Sequence, residues 1–152
     1  MASDQIWEDL NPFRMDEATI DEVMREATGC TVTYVRKDGQ PIGVWVSHVI
    51  LDGVLYVTTT GNRGKTSAWR RDPRMSATFE VASKGSVTAI GRVELIDDPE
   101  LRHRFLAALA DRSGTPGEVL DLWFKHMDTE GRLTGRVTVE KYVTFDPRKL
   151  SW

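Results

Sequence analysis

A cation-rich segment at residues 58–74 (TTTGNRGKTSAWRRDPR) is the part of the sequence best suited to chemistry. Its five cations are Arg63, Lys65, Arg70, Arg71 and Arg74. Three threonines end a β-rich run, and a helix is predicted to begin near Gly64, where free backbone N–H groups and the helix dipole favour an anion. Hydroxyls, amides and cations that converge in this way are typical of a phosphate site.

These five cations fall into two groups according to their position in the segment. Arg63 and Lys65 lie in the loop and the first helical turn, where a ligand would bind, whereas the arginines at 70, 71 and 74 lie near the helix end and can bond its carbonyls. We therefore predict Arg63 and Lys65 as the ligands. From these residues alone a solvated basic helix face remains an alternative. A nucleic-acid patch is a weaker one, because no ladder of aromatic residues accompanies the cations.

A second feature is the run VWVSHV at residues 44–49. We predict that it lies on a strand paired with the one that ends at Thr58–Thr60. A flat ring lying across two such strands would meet main-chain donors and acceptors from both, which suits the polar edge of a flavin. For Trp45 alone, packing in the core is the simpler interpretation.

Motifs of several other enzyme classes are absent. G-x-S-x-G, H-E-x-x-H and G-x-G-x-x-G do not occur, and Gly64-Lys65-Thr66 fails as a Walker loop because Thr59 stands where its first glycine belongs. Three isolated histidines, at positions 48, 103 and 126, lack metal-ligand spacing and are interpreted as structural or solvated. Cys30 is interpreted as a small buried thiol. No metal site and no catalytic residue is assigned.

Composition places the chain among ordinary folded proteins. It has 152 residues, of which 40% are hydrophobic and 28% charged, and this excludes a disordered tail, a collagen-like fibre and a disulfide scaffold. With a net charge of -3, the protein has no overall positive field that would attract nucleic acid. No signal peptide or membrane-spanning run is present, and a single thiol suits a reducing compartment. We expect a soluble, cytoplasmic protein with one domain, residues 1–152.

Four helices are predicted from caps and apolar periodicity. The first begins at Asp16, ends at Gly29 as a C-terminal cap, and has an apolar stripe of Ile20, Val23, Met24 and Ala27. The second begins near Gly64 and ends at Asp72-Pro73. Asp98-Pro99 opens the third and Thr115-Pro116 the fourth. In these two the residues expected to face inward are Leu101, Phe105, Ala108, Leu109, Val119, Leu120, Trp123, Phe124 and Met127. An N-terminal arm with Trp7, Leu10 and Phe13 is expected to dock on the core or on a partner.

The remaining runs are β-rich. Those at 31–36, 42–51 and 54–60 are separated by the hairpin signals Asp38-Gly39 and Asp52-Gly53, which predicts a three-strand meander. Three more strands are predicted at 75–81, 87–96 and 134–145. Hairpin-linked strands form an antiparallel sheet, and closing or partly closing it into a barrel removes exposed edges. The expected fold class is mainly β (α+β), with flanking helices.

The run from YVRKDGQP through DGVLYVTTTGNRGKTSAWRRDPRMSATFEV resembles the pyridoxamine 5'-phosphate oxidase-like split β-barrel superfamily. More narrowly, it resembles the flavin/deazaflavin (F420) oxidoreductases of actinobacterial type, through the DG-x-P turn, the second DG turn and an R-x-K loop that continues into RRDPR. The tail VTFDPRKLSW is similar to their SWD-x-RKL ending. The likeness covers residues 20–96 well and the tail moderately. It implies a six-stranded antiparallel split β-barrel that forms a homodimer with the cofactor at the subunit interface.

The resemblance also implies a set of cofactor-binding residues: Trp45, Val46, Ser47, Val57, Thr58, Thr59, Arg63, Gly64 and Lys65. Arg63 and Lys65 would bind the phosphate or acidic tail of the cofactor, and Gly64 would close on the phosphate with its backbone. The two threonines would hydrogen-bond near the phosphate and sugar chain. The residues at 45–47 would line the ring, with the valine at 57 beneath it.

F420 is the preferred cofactor in this interpretation, and FMN is the alternative. The implied activity is hydride transfer between the bound cofactor and a small electron-poor organic acceptor. Alternatives are a carrier or sensor without turnover, and an FMN-dependent oxidase like pyridoxamine phosphate oxidase. The ending RKLSW departs from the R-L-x-P motif near which those oxidases grip substrate with arginines, so the vitamin B6 reaction is disfavoured.

Overall fold

The computed structural model describes residues 9–151, so the predicted docking residue Trp7 lies outside the described part of the chain. The strands there are β1 (Cys30–Val35), β2 (Pro41–Val46), β3 (His48–Leu51), β4 (Val54–Thr60), β5 (Arg74–Val81), β6 (Gly85–Ile96) and β7 (Arg132–Phe145). The helices are α1 (Glu17–Glu26), α2 (Gly64–Arg71), α3 (Pro99–Arg112) and α4 (Gly117–Met127), with short 3₁₀ turns at Asn11–Phe13 and Pro147–Lys149. None of these helices combines the length and the apolar character that a membrane span requires.

The seven strands form one antiparallel sheet in the order β2-β1-β5-β6-β7-β4-β3. β2 and β3 lie at opposite ends of this order, yet only Ser47 separates them in the chain. Because one residue spans at most about 3.5 Å, the sheet has to curl until its two ends meet. This curled antiparallel sheet with flanking helices confirms the predicted split barrel.

The count of strands differs from the prediction, because the run 42–51 forms two strands and not one. β2 pairs with β1, with Val46 opposite Cys30, whereas β3 pairs with β4, with His48 opposite Val57. The expected three-strand meander is therefore wrong, and the two Asp-Gly turns close separate hairpins at opposite ends of the sheet. Strand propensity could not reveal this, since it carries no information about which partner each half of the run pairs with.

Helix α1 begins where the sequence predicts. The Asp16 carboxylate accepts a hydrogen bond from the Thr19 N–H at 2.8 Å, and the helix buries Val23 and Met24. The helix ends at Glu26, and the prediction that Gly29 caps it is wrong. A Cβ placed on Gly29 would instead overlap the indole of Trp45, so this glycine provides the room in which that ring lies.

Helices α3 and α4 cover a small second core beside β3. α3 is capped by Asp98, which accepts from the Glu100 N–H at 3.0 Å, and it buries Phe105 and Leu109 as predicted. α4 is less buried than predicted, since it buries no residue fully and Val119 is 41% exposed. The side chains of α4 that do pack against this core are Trp123, Phe124 and Met127.

The main core fills the interior of the curled sheet. Val32, Val57, Phe79 and Val87 have no exposed surface there, as expected for alternate residues of strands whose inner face is covered. α2 adds Trp69, which is 2% exposed and donates its indole N–H to the Thr33 carbonyl at 3.1 Å. This anchor holds α2 against β1, and it determines where the first turn of α2 projects.

Candidate functional site

A cavity of about 480 Å³ opens where the ends of β2 and β4 meet the beginnings of α2 and β7. Eight of the nine residues predicted for the site line it, namely Trp45, Val46, Ser47, Thr58, Thr59, Arg63, Gly64 and Lys65. The ninth, Val57, is fully buried in the main core and is not part of the wall. Four residues that were not among those nine complete the lining: Tyr34, Val44, Thr60 and Arg132.

The two strands meet here because Ser47 joins the two ends of the sheet. β2 contributes its last residues from one end, and β4 contributes Thr58–Thr60 from the other. The predicted pairing of the run 44–49 with β4 is therefore only half right, since pairing begins at His48. The predicted neighbourhood of the two segments is nevertheless correct, because both line one cavity.

The start of α2 is held in this cavity by buried hydroxyl groups. The Thr66 hydroxyl donates to the Thr60 carbonyl at 2.6 Å and lies 2.8 Å from the hydroxyl of Thr59. The side chains of Thr59 and Thr66 are buried, so these bonds are shielded from water. The first-turn amides of Gly64 and Lys65 precede the first intrahelical bond, which the Thr66 N–H donates to the Arg63 carbonyl at 3.1 Å. They therefore present the positive end of the helix to the cavity.

Three cations surround this helix start without an acid among the lining residues: Arg63, Lys65 and Arg132. Within residues 9–151, no ion pair joins any of them to a carboxylate. Burial lowers the pKa of Lys65, and the charges of the two arginines lower it further. Burial, followed by the charge of Arg63, likewise lowers the pKa of Arg132. The charged forms of Lys65 and Arg132 are therefore destabilised by burial and by the neighbouring cations, and a bound anion would offset this destabilisation.

Sequence reasoning missed Arg132, although it is held in place as firmly as any group in the site. Its Nε donates to the Met127 carbonyl at the end of α4, and Nη1 donates to the Thr58 hydroxyl at 3.0 Å. Antiparallel pairing of β4 with β7 places it opposite Thr60. No local signal could have found it, because it lies far along the chain from Arg63 and only strand pairing brings the two together.

The other side of the cavity is an aromatic and backbone wall. Trp45 is 62% exposed, and its indole lies over Gly29, so the simpler interpretation of Trp45 as a core residue is wrong. Val46 is buried, whereas Ser47 is half-buried at the break between strands. Tyr34 places its hydroxyl close to Gly64. These residues add aromatic and apolar surface to the cavity, and the Tyr34 hydroxyl reaches the start of α2.

The two predicted threonine ligands differ in what their hydroxyls already bind. Thr58 is half-buried and accepts a hydrogen bond from Arg132. Thr59 is 3% exposed, and its hydroxyl bonds that of Thr66. Contact of either hydroxyl with a cofactor stays a prediction, and the present bond of Thr59 serves to hold α2.

The buried histidine and the cysteine lie outside the cavity. His48 Nε2 donates to the Met24 carbonyl at 2.6 Å, and burial lowers the pKa of His48 to about 4. Arg112 donates to the His48 carbonyl at 2.5 Å and also to the carbonyl of Ala27, which ties α3 to the end of α1. Burial raises the pKa of Cys30 to about 12, so its thiol is protonated and inert, as predicted.

A family model for pyridoxamine 5'-phosphate oxidase matches residues 16–144. The chain therefore belongs to the pyridoxamine 5'-phosphate oxidase family, in agreement with the resemblance carried by its motifs. A comparison with curated proteins gave no match.

Solved structures share the fold at low sequence identity. The conserved hypothetical protein Rv2991 from Mycobacterium tuberculosis is 24% identical over 94% of this chain and 92% of its own, with a TM-score of 0.81. The heme storage protein HutZ from Vibrio cholerae is 16% identical over 85% of this chain and 94% of its own, with a TM-score of 0.66. An F420 reductase is 18% identical over 81% of this chain and 94% of its own, with a TM-score of 0.63. These likenesses establish the split-barrel fold.

Proposed function

We propose that this protein is an oxidoreductase that binds F420 or FMN in the cavity beside α2 and uses it for hydride transfer with a small electron-poor organic acceptor. One observation carries the proposal: Arg63, Lys65 and Arg132 converge on a cavity that has no carboxylate in its lining. Membership of the pyridoxamine 5'-phosphate oxidase family supports it, and so does the likeness to an F420 reductase. F420 is our preferred cofactor and FMN the alternative.

The residues of the cavity fit a ring cofactor that carries a phosphate. The cations and the first-turn amides of α2 suit a phosphate or an acidic tail, because charge-assisted bonds to such groups are strong. The wall at 45–47 offers an aromatic surface and main-chain groups to a flat ring. The volume of about 480 Å³ lies in the usual range for small-molecule sites. When bound, such a cofactor supplies the hydride-transfer chemistry.

The chain itself binds, orients and keeps the site in shape. Arg63 and Lys65 would hold the anionic group, and Arg132 has N–H groups left over after its bonds to Met127 and Thr58. The lining contains no Asp, Glu or His, so a proton would have to come from water or from a hydroxyl such as that of Tyr34 or Ser47. We assign no general acid.

The proposal includes a homodimer with the cofactor at the subunit interface. Trp45 at the lip of the cavity is 62% exposed, which leaves apolar surface for a second copy to cover. Sedimentation analysis of the purified protein tests this, and a monomer at every concentration would contradict it. We also propose a cytoplasmic location, because a lone thiol suits a reducing compartment.

A carrier or sensor without turnover is the second candidate. The absence of a carboxylate or imidazole from the cavity lining favours it, because binding requires only the cations and the ring wall. The likeness to a heme storage protein points the same way. This candidate predicts tight binding with no reduction of any acceptor.

Side-by-side titrations of the apo protein with F420, FMN and hemin, followed by absorbance and fluorescence, test the proposal. Saturable binding of F420 alone would identify a deazaflavin protein, and assays with enones and quinones would then separate a reductase from a carrier. Binding of FMN alone would indicate a flavin enzyme. Binding of hemin alone, or of none of the three, would overturn the proposal.

A further inference from the structure

A second cavity, of about 560 Å³, lies between α1, the β3–β4 hairpin and β7. It shares no lining residue with the cationic cavity. Its deepest side chains are Met24, Leu55 and Val137, each buried, and its walls include the partly exposed Ile20 and Ile50. A concavity of this size with an apolar lining is the usual form of a small-molecule site.

The rim of this second cavity carries carboxylates on one side. Glu17 and Asp21 lie one helical turn apart on α1, so both face the same way. Tyr142, which is 41% exposed, lies near them: burial raises the pKa of its hydroxyl, and the negative charge of Asp21 raises it further. Across the cavity, Arg136 is bound to Glu94 at 2.7 Å, which offsets its charge.

Among residues 9–151, Glu17 differs from the other acids of α1 in forming no ion pair. Lys84 binds both Glu22 and Glu26, and Arg25 binds Asp21 at 2.8 Å through an exposed pair. In residues 9–151 no ion pair involves Glu17. An acid in a first helical turn interacts favourably with the helix dipole, and this alone could explain Glu17. The helix dipole does not, however, account for the apolar cavity next to Glu17.

We propose that this second cavity binds a small organic cation with an apolar body, of the alkylamine class. The apolar body would lie against Met24, Leu55 and Ile50, and the ammonium group would lie at the rim beside Glu17, since Asp21 is already paired with Arg25. Such a ligand is complementary to the cavity in both hydrophobicity and charge. A carboxylate of the same length would meet like charge at the rim, so the site discriminates by the sign of the head group.

Calorimetric titration of the full-length protein at pH 7 with octylamine, octan-1-ol and octanoate tests the head group. Octylamine is cationic at this pH, because its amine titrates near the range of a lysine. We expect one saturable octylamine site per chain, and octanoate about tenfold weaker or more, through loss of attraction and gain of repulsion. Octanoate or octanol binding as tightly as octylamine would overturn the proposal.

Three variants locate the site. Val54→Trp fills the cavity from the strand side and should weaken octylamine about tenfold or more, because a rigid ring then occupies the ligand space. Glu17→Gln should weaken octylamine about two- to fivefold, the weight of one exposed ion pair, and leave octanol unchanged. Glu118→Gln removes the matching first-turn acid of α4, which is not at the cavity, and should change nothing.

Controls keep the result independent of folding and of the cofactor proposal. Each variant should retain the wild-type circular dichroism spectrum and the wild-type affinity for FMN or F420. If Val54→Trp does not fold, Thr138→Trp blocks the same cavity from an exposed position on β7. Unchanged octylamine affinity in the folded blocking variant, or equal effects of Glu17→Gln and Glu118→Gln, would overturn the proposal.

Discussion

The two halves of the segment 63–74 carry the same kind of charge but use it differently. At its end, Arg74 is bound to Asp72 at 2.6 Å, and Arg71 donates to the Val35 carbonyl at 3.2 Å. At its start, Arg63 and Lys65 lie beside the cavity, and no ion pair in the described chain joins either to a carboxylate. Arg71 and Arg74 therefore differ from Arg63 and Lys65 both in their partners within the chain and in their position, and Arg70, which is exposed, does not line the cavity either.

This difference separates cations that stabilise the fold from cations that are available to a ligand. A cation next to its own carboxylate gains little from an added anion. Cations grouped around one cavity, where burial and the charge of Arg63 lower the pKa of both Lys65 and Arg132, gain much more. Four changes test whether the distinction holds, and they are ordered by the size of the expected effect.

Removing both starting cations should have the largest effect. The double variant Arg63→Met with Lys65→Met should lose about 3–6 kcal/mol of F420 or FMN affinity, because each charge-assisted bond contributes about 1.5–3 kcal/mol. Fluorescence titration measures this. The matched double variant Arg71→Met with Arg74→Met should change affinity by less than about 0.5 kcal/mol. Equal losses in the two variants would abolish the distinction between the halves.

Thr66→Val tests whether the buried hydroxyls hold the start of the helix. Valine matches the shape of threonine but removes the partner of the Thr59 hydroxyl and one donor to the Thr60 carbonyl, which keeps its bond from the Arg63 N–H at 3.1 Å. The free energy of unfolding should fall by about 1–3 kcal/mol, as measured by urea denaturation, and cofactor affinity should fall with it. Ser67→Ala, at the exposed next position, is the control and should leave both quantities unchanged. A stable Thr66→Val protein with normal affinity would show that the hydroxyls do not position α2.

Alkaline pH should weaken cofactor binding through Lys65. Burial and the neighbouring arginines lower the pKa of Lys65 in the free protein, and a bound anion raises it again. Affinity is therefore full below the pKa of the free protein and falls as pH rises toward that of the complex. Between pH 7.5 and pH 10 we therefore expect a progressive loss of affinity. Lys65→Arg should bind with little pH dependence, because a guanidinium stays charged over this range. The same pH profile in both proteins would exclude Lys65 from the anion site.

Low pH should weaken the ion pair between Arg74 and Asp72 at the end of the segment, and this is the smallest of the four expected effects. Hydrogen bonds from Arg74 lower the pKa of Asp72 to about 2, below its ordinary value near 4 in the unfolded chain. Asp72 thus contributes stability that is present above pH 4 and is lost as pH falls to 2. Urea unfolding should show a small deficit for Asp72→Asn at pH 7 that disappears by pH 2, with cofactor affinity unchanged at pH 7. A deficit that persists at pH 2 would mean that the ion pair is not its cause.

Local signals predicted the elements well where the cause was itself local. Asp16 and Asp98 cap the helices that they were expected to cap, and the glycines of both Asp-Gly turns have positive φ. Failures arose where distant residues decided the outcome. Gly29 follows α1 like a helix cap, but its role is set by the indole of Trp45 from the neighbouring hairpin strand.

The candidate site divides in the same way. Arg63, Gly64 and Lys65 could be found because a loop that runs into a helix brings them together within three residues. Tyr34 and Arg132 could not, since each reaches the cavity only after the sheet has curled. Val57 was expected beneath a cofactor ring, but the alternation of β4 turns it into the core while Thr58 faces the cavity.

By itself, the sequence determined most of the elements, the family and the basic half of the candidate site, because caps, turns and a short basic motif act within a few residues. Tertiary structure alone decided that the run 42–51 breaks at Ser47, so that its halves pair at opposite ends of the sheet. It also decided that Arg132 joins Arg63 and Lys65 at one cavity. Partners distant in the chain are chosen by which surfaces the closing barrel brings into contact, and no local pattern of residue types records that choice.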